Sequence, residues 1–170
     1  MAENKRILMV TLEVRELLYD IQNKSYLTAS SKEMDSSKGY ASTSQMQASD
    51  DEETTYQLSR SLMNAIGMLK GMLSEYLADG ENCTDNLLNT DIEGKGQLTL
   101  SLLMPNNYNS TTASSVGNSI HSYLVNMALG EWFAITNKED ASIYSTQATV
   151  ALASIKQALN QRIRPSRPNR

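Results

Sequence analysis

Apolar residues recur every three or four positions along four stretches of this chain, separated by polar intervals. The longest patterned region is VGNSIHSYLVNMALGEWFAITNKEDASIYSTQATVALASIKQALNQRIR (116–164). Its first part carries Ile120, Tyr123, Leu124, Met127, Ala128, Trp132 and Phe133. Its second part carries Ile143, Ala148, Ala151, Leu152, Ile155 and Leu159. Both sets follow the i, i+3, i+4, i+7 spacing of one buried helix face. The break at ITNKED is short, so the pair predicts an antiparallel helical hairpin. Asn109 to Thr112 supply caps for the first helix, which begins between Thr111 and Val116. Asn137 caps the second, which runs to about Arg162; Arg162 and Arg164 suit its negative end, and Pro165 stops it.

Two further stretches read as helices. In RILMVTLEVRELLYDIQNKSYL (6–27), Ile7, Val10, Val14, Leu17, Leu18 and Ile21 lie three or four apart. The β-branched run LMVTLEV also suits a strand, but the stripe favours a helix. After Ser49, taken as N-cap with Glu52 three residues on, a second stripe follows. It comprises Leu58, Leu62, Ala65, Ile66, Leu69, Leu73, Tyr76 and Leu77, and Asp79-Gly80 closes it with a left-handed C-cap. Met63, Met68 and Met72 fall off this stripe, as a helix covered on two sides would place them. Gly67 and Gly71 each weaken the helix by about 1 kcal/mol relative to Ala, an expense offset by close approach of another backbone.

One interval alternates instead. Leu98, Leu100 and Leu102 recur with period two, Glu93 to Gly96 supply a turn, and Leu87 to Ile92 offer a returning strand. A β-hairpin over 86–104 is therefore expected. An isolated pair of strands is marginal in water, so it must pack on the helices or on another copy. Between Ala29 and Ser49 the serine-rich sequence loses all periodicity, which predicts a long polar loop. Met34, Tyr40 and Met46 give that loop the apolar handles to order on assembly. The expected fold is thus mainly α: a four-helix bundle-like domain over 1–164 with an inserted β-hairpin, a long polar loop, and a basic tail at 165–170.

Composition narrows the function by exclusion. The chain has 170 residues, 40% apolar and 20% charged, enough for a core without staples. Its longest apolar runs are too short and too interrupted to span a bilayer, and Glu13, Arg15, Glu16 and Asp20 break up any leader-like start. A single cysteine, Cys83, rules out an intramolecular disulfide and fits a reducing compartment. His121 is the sole histidine, with no second ligand at metal spacing and no nucleophile context around any serine. Glu131 stands alone on its helix without a partner for acid–base work. Gly94-Lys95-Gly96 lacks the rest of a phosphate loop. No catalytic, cofactor or metal residues are assigned, and the chain reads as non-enzymatic.

Charge is uneven. The last nine residues, RIRPSRPNR, hold four arginines and no acid, on a chain of net charge −4. Without them the body stands near −8, so Arg162, Arg164, Arg167 and Arg170 read either as a basic arm that reaches an acidic surface or, with Pro165 and Pro168, as a solvated, disordered C-terminus. Prolines and the lack of aromatics in the arm suit non-specific phosphate contact, not base reading. Together with Gly67, Gly71 and Trp132, these arginines are the candidate interface residues.

The segment EWFAITNKEDASIYSTQATVALASIKQALNQRIRPSRP (131–168) carries a family resemblance. A helix ending in Trp132-Phe133, a short acidic loop, and a helix with Ala141, Tyr144 and Ile155 before an Arg/Pro tail are similar to head–tail connector (adaptor) proteins of tailed bacteriophages. They resemble in particular virion structural proteins of Bacteroides phages. The resemblance covers roughly the C-terminal third and, more loosely, residues 6–27. The serine-rich segment and the extra hairpin depart from the smallest adaptors. What it implies is a subunit of a dodecameric ring joining portal protein to tail or other connector proteins, with DNA passing near the lumen and no membrane contact. Such a protein is assembled in the bacterial cytoplasm and resides in the virion. The alternative from the residues alone is a small helical-bundle binding protein or assembly chaperone.

Overall fold

A computed structural model describes residues 5–33, 46–78 and 96–164. In chain order these form strand β1 (Arg6–Glu13), helix α1 (Val14–Glu33), helix α2 (Glu52–Met72), strand β2 (Gln97–Met104), helix α3 (Ala113–Thr136) and helix α4 (Lys138–Leu159). Among the described residues the protein is mainly helical, with four α-helices and one two-stranded antiparallel sheet.

Helix α3 lies at the centre. Val116, Ile120, Tyr123, Leu124, Val125, Asn126, Ala128, Leu129 and Phe133 are all buried, and residues 123–126 cover a full turn. A helix buried nearly all round must be wrapped by other elements. Here α1, α2, α4 and β1 do so. Helix α4 folds back along α3 across a single residue. Asn137 is extended (φ −154°, ψ 103°); its N–H donates to the Phe133 carbonyl at 2.7 Å, and its side-chain oxygen accepts from the Glu139 N–H at 3.1 Å. One residue thus closes one helix and caps the next. The expected break of six residues is therefore sharper than its sequence suggested, and α4 ends at Leu159, just short of Arg162.

The N-terminal stretch is where the expected helix gives way. Residues 6–13 are a strand, and α1 begins only at Val14. Val10 and Val14 satisfy helical spacing, but Leu8, Val10 and Leu12 also satisfy alternation. The alternating set is the one turned inward, against Leu98, Leu100, Leu102 and Met104 of β2. The register runs from Arg6 opposite Met104 to Glu13 opposite Gln97. Leu98 to Met104 thus form a strand as predicted, but the strand it pairs with lies some ninety residues away (97 against 13 at the nearest pair). Residues 87–92, expected to return against β2, fall outside the described residues.

Other boundaries shift for identifiable reasons. Helix α2 buries the predicted Leu58, Leu62, Ala65, Ile66 and Leu69. Its N-cap is Asp51 rather than Ser49: the Asp51 carboxylate accepts from the Thr54 N–H at 3.3 Å. Hydrogen bonds from Thr54 and then Ser49 hold that carboxyl below its usual value, so the cap is strongest above the ordinary carboxylate range and fades as acid protonates it. The helix stops at Met72 instead of continuing to Asp79, because residues 76–78 pair along the second edge of β2. There the Leu103 N–H donates to the Tyr76 carbonyl at 2.6 Å, and the Ala78 N–H donates to the Ser101 carbonyl at 2.9 Å. Main-chain pairing with a strand outcompetes another helical turn.

The polar interval also differs from expectation. Helix α1 continues to Glu33, and Met46 and Ala48 are buried against the rest of the chain. The Trp132 indole N–H donates to the Met46 carbonyl at 2.9 Å, and the Ala48 N–H donates to the buried Ser25 hydroxyl at 3.0 Å. Met34 and Tyr40 lie outside the described residues. Replacing Trp132 by Phe removes the first of these ties while keeping most of the apolar bulk. The expected loss is about 1 kcal/mol of unfolding free energy in urea titrations, together with faster proteolytic cleavage near residue 46.

Candidate assembly surfaces

Several polar side chains singled out or passed over in the sequence turn out to brace the bundle. His121 on α3 reaches α1, where its Nε2–H donates to Asp20 Oδ2 at 2.8 Å. Asp140, in the first turn of α4 and 6% exposed, accepts from Lys32 Nζ at 2.6 Å and from Asn137 Nδ2 at 2.8 Å. The Thr28 and Tyr144 hydroxyls share a hydrogen bond at 2.7 Å, and the Tyr144 ring stacks on Phe133 with centroids 5.3 Å apart. The Lys32–Asp140 and Thr28–Tyr144 bonds tie the end of α1 to the start of α4, and Asp20–His121 ties α1 to α3. These three link residues 108, 116 and 101 positions apart, which is why no local pattern announced them.

His121 also lines an open depression with Glu13, Arg15, Glu16, Tyr19 and Asp20. Among the described residues no three metal-ligating groups converge there or elsewhere. The arrangement offers a braced surface pair with no nucleophile beside it.

The candidate interface residues fall into three groups. Trp132 is half-buried and hydrogen-bonded inside the chain. Gly67 and Gly71 lie beside open space: a Cβ at either would meet nothing within 4 Å. The close approach once looked for there occurs at Gly130 instead, where a Cβ would sit 3.7 Å from the Ser145 nitrogen and 3.9 Å from the Ala141 carbonyl oxygen on α4. Arg162 caps the end of α4, its Nη1 donating to the Leu159 carbonyl at 2.8 Å. Residues 161–163 then run along 107–109, with the Ile163 N–H donating to the Asn107 carbonyl at 2.8 Å. Arg164 is exposed at the point of exit. Arg167 and Arg170 lie outside the described residues, as does Cys83.

Sequence reasoning missed the surface between α3 and α4. The helices meet closely at Gly130, and toward their far ends they border a groove of about 590 Å³. Ser114, Asn118, Ser122 and Asn126 line one wall, and Thr146, Val150 and Ser154 the other; none of the lining residues is charged. Asn126 is 6% exposed, and its Oδ1 has no hydrogen-bond partner among the described residues. Val150, on the rim, is 62% exposed. The signal was present as a run of serines and asparagines on the polar side of the first hairpin helix. By spacing alone such a run is simply the solvated side of a helix.

Tyr123, one turn away, also buries a hydroxyl with no partner among the described residues, and burial pushes its phenol above the ordinary pKa of 10.0. No helix is long and apolar enough among the described residues to cross a membrane. Compared with known proteins, the chain matches no family model, no curated protein and no solved structure.

Two measurements follow from these placements. Tyr123→Phe removes an unpaired buried polar atom without changing shape, and is expected to leave stability unchanged or raise it by about 1 kcal/mol. Gly67→Ala and Gly71→Ala add a methyl group to open space on a helix, and each is expected to raise the stability of the isolated subunit by up to about 1 kcal/mol. If either glycine lies in a contact between copies, the same substitution weakens assembly while it stabilises the subunit. Denaturation and mass measurements on one preparation read both effects.

Proposed function

We propose that this chain is a non-enzymatic structural subunit that assembles with copies of itself. Its specific role is that of a connector subunit in a tailed-phage virion, in a ring between portal and tail. The resemblance of residues 131–168 to connector proteins supplies the specific part of this reading. The physical part rests on one observation, the uncharged groove between α3 and α4 with the unpaired Asn126 oxygen within it. A buried acceptor without a partner costs about 1–3 kcal/mol, and a neighbour's donor placed in the groove offsets that cost. Val150 on its rim is exposed, and Ile143 on α4 and Ile135 at the hairpin turn add exposed apolar area elsewhere on the same hairpin. The braced bundle behind them supplies a rigid platform, and the pinned exit at residues 161–163 directs the basic arm from a fixed point.

The mass of the purified chain, alone and mixed with virion components, tests the reading. A discrete oligomer that joins particles is expected; a stable monomer that never enters particles rejects it and favours the helical binding protein or chaperone. Val150→Glu changes an exposed position, so subunit stability should move by less than about 0.5 kcal/mol. The oligomer should nevertheless weaken, because a carboxylate enters an uncharged contact. Truncation after Ile163 removes three of the four arginines of the arm. Assembly that persists unchanged takes them out of the interface.

A further inference from the structure

The two edges of the small sheet are unequal. The outer edge of β2 is occupied by residues 76–78. Because Ser101 and Leu103 turn their main-chain groups toward that segment, Leu100, Leu102 and Met104 turn theirs toward β1. Opposite them, Arg6, Leu8 and Val10 complete the ladder. Ile7, Met9 and Thr11 therefore direct their N–H and C=O groups outward, and among the described residues nothing pairs with them. Their side chains lie on the sheet face away from the helices, where Ile7 is 63% and Met9 64% exposed. Exposed strand edges are normally short, charged along their length or covered. This one is eight residues long and apolar at its middle.

We propose that the free edge of β1 pairs antiparallel with β1 of a second copy, joining two sheets into one of four strands. The occupant follows from the strand's own pattern. Pairing must bring odd positions opposite odd positions, so that Leu8, Val10 and Leu12 of both copies stay turned to their cores. Among the registers that satisfy this, one sets Met9 opposite Met9 and Ile7 opposite Thr11. That register also places Lys5 of each copy opposite Glu13 of the other. Both are exposed, and neither forms an ion pair among the described residues. Shifting by one repeat in either direction loses the match at both ends. The strand is thus self-complementary in hydrogen bonding, apolar contact and charge, and the central three pairs alone would exchange about six main-chain hydrogen bonds. The contact is isologous and closes at two copies, so it is separate from the head-to-tail contact a ring requires.

Charge reversal and cross-linking test the register. Lys5→Glu and Glu13→Lys change exposed side chains and should leave the subunit's circular dichroism unchanged. Each places like charges opposite one another twice per dimer and is expected to weaken dimerisation roughly tenfold in sedimentation equilibrium. The double variant restores the opposite-charge pairs and should recover wild-type affinity, which a merely structural role for either residue would not produce. In a Cys83→Ser background, Met9→Cys is expected to form a disulfide-linked dimer on mild oxidation, since paired α-carbons lie about 5.5 Å apart. Gln57→Cys, on the exposed side of α2, should not. A chain that stays monomeric at millimolar concentration overturns the proposal, as does a dimer indifferent to both reversals. Rings that form with unchanged affinity in the reversal variants overturn this contact alone and leave the ring reading in place.

Discussion

The burial of α3 on nearly every side is the constraint that organises this molecule. A helix with Tyr123, Leu124, Val125 and Asn126 all enclosed exposes little beyond the hydroxyl- and amide-bearing stripe of its groove wall, so the other elements must be placed to cover it. Helix α4 covers one flank, folded back by the double cap at Asn137 and brought close at Gly130. The sheet and the N-terminal helix cover the rest together with α2. Each fully buried Leu or Phe in such a position contributes about 1.5–3 kcal/mol, so loss of any covering element exposes several such residues at once. The fold is cooperative because its centre cannot be partly wrapped.

Polar contacts then fix how the wrapping is done. Asp140 gathers Lys32 and Asn137, Tyr144 joins Thr28, His121 joins Asp20, and Trp132 holds the carbonyl of Met46. A hydrophobic core alone tolerates sliding of helices along one another, whereas directional bonds between distant residues select one arrangement. What these contacts leave is a stiff body with two surfaces of different character. One is an uncharged hydroxyl- and amide-lined groove on the α3–α4 hairpin; the other is a main-chain edge on β1 that nothing among the described residues pairs with. A groove receives side chains from a differently shaped face, and an edge receives another strand. The two contacts proposed above, one head-to-tail and one symmetric, therefore draw on different chemistry.

Much of the helical part was legible in the residues. The hairpin of α3 and α4, the cap at Asn137 and the buried stripe of α2 all follow from local spacing, and the structure places them where the sequence puts them. Asn109 caps only the 3-10 turn at 110–112 that leads into α3, whose own N-cap, Thr112, makes no side-chain cap bond. The candidate surfaces were less legible. Gly67 and Gly71 drew attention by their spacing, yet the close helix approach is at Gly130, which stands alone in the sequence. Asn126 is indistinguishable in sequence from the exposed Asn118; its burial in the folded chain is what makes its oxygen costly.

The sequence by itself determined the helical body of each of the four helices and the faces α2, α3 and α4 bury, because helix spacing is written within a few residues. Tertiary structure alone decided the rest. Residues 6–13 satisfy both periods, and they became a strand because β2, distant in the chain, offered a ladder that the helix could not. Helix α2 ended early because residues 76–78 took the other edge of that same strand. Choices of this kind depend on partners that local spacing does not name, and so does the unpaired edge that results from them.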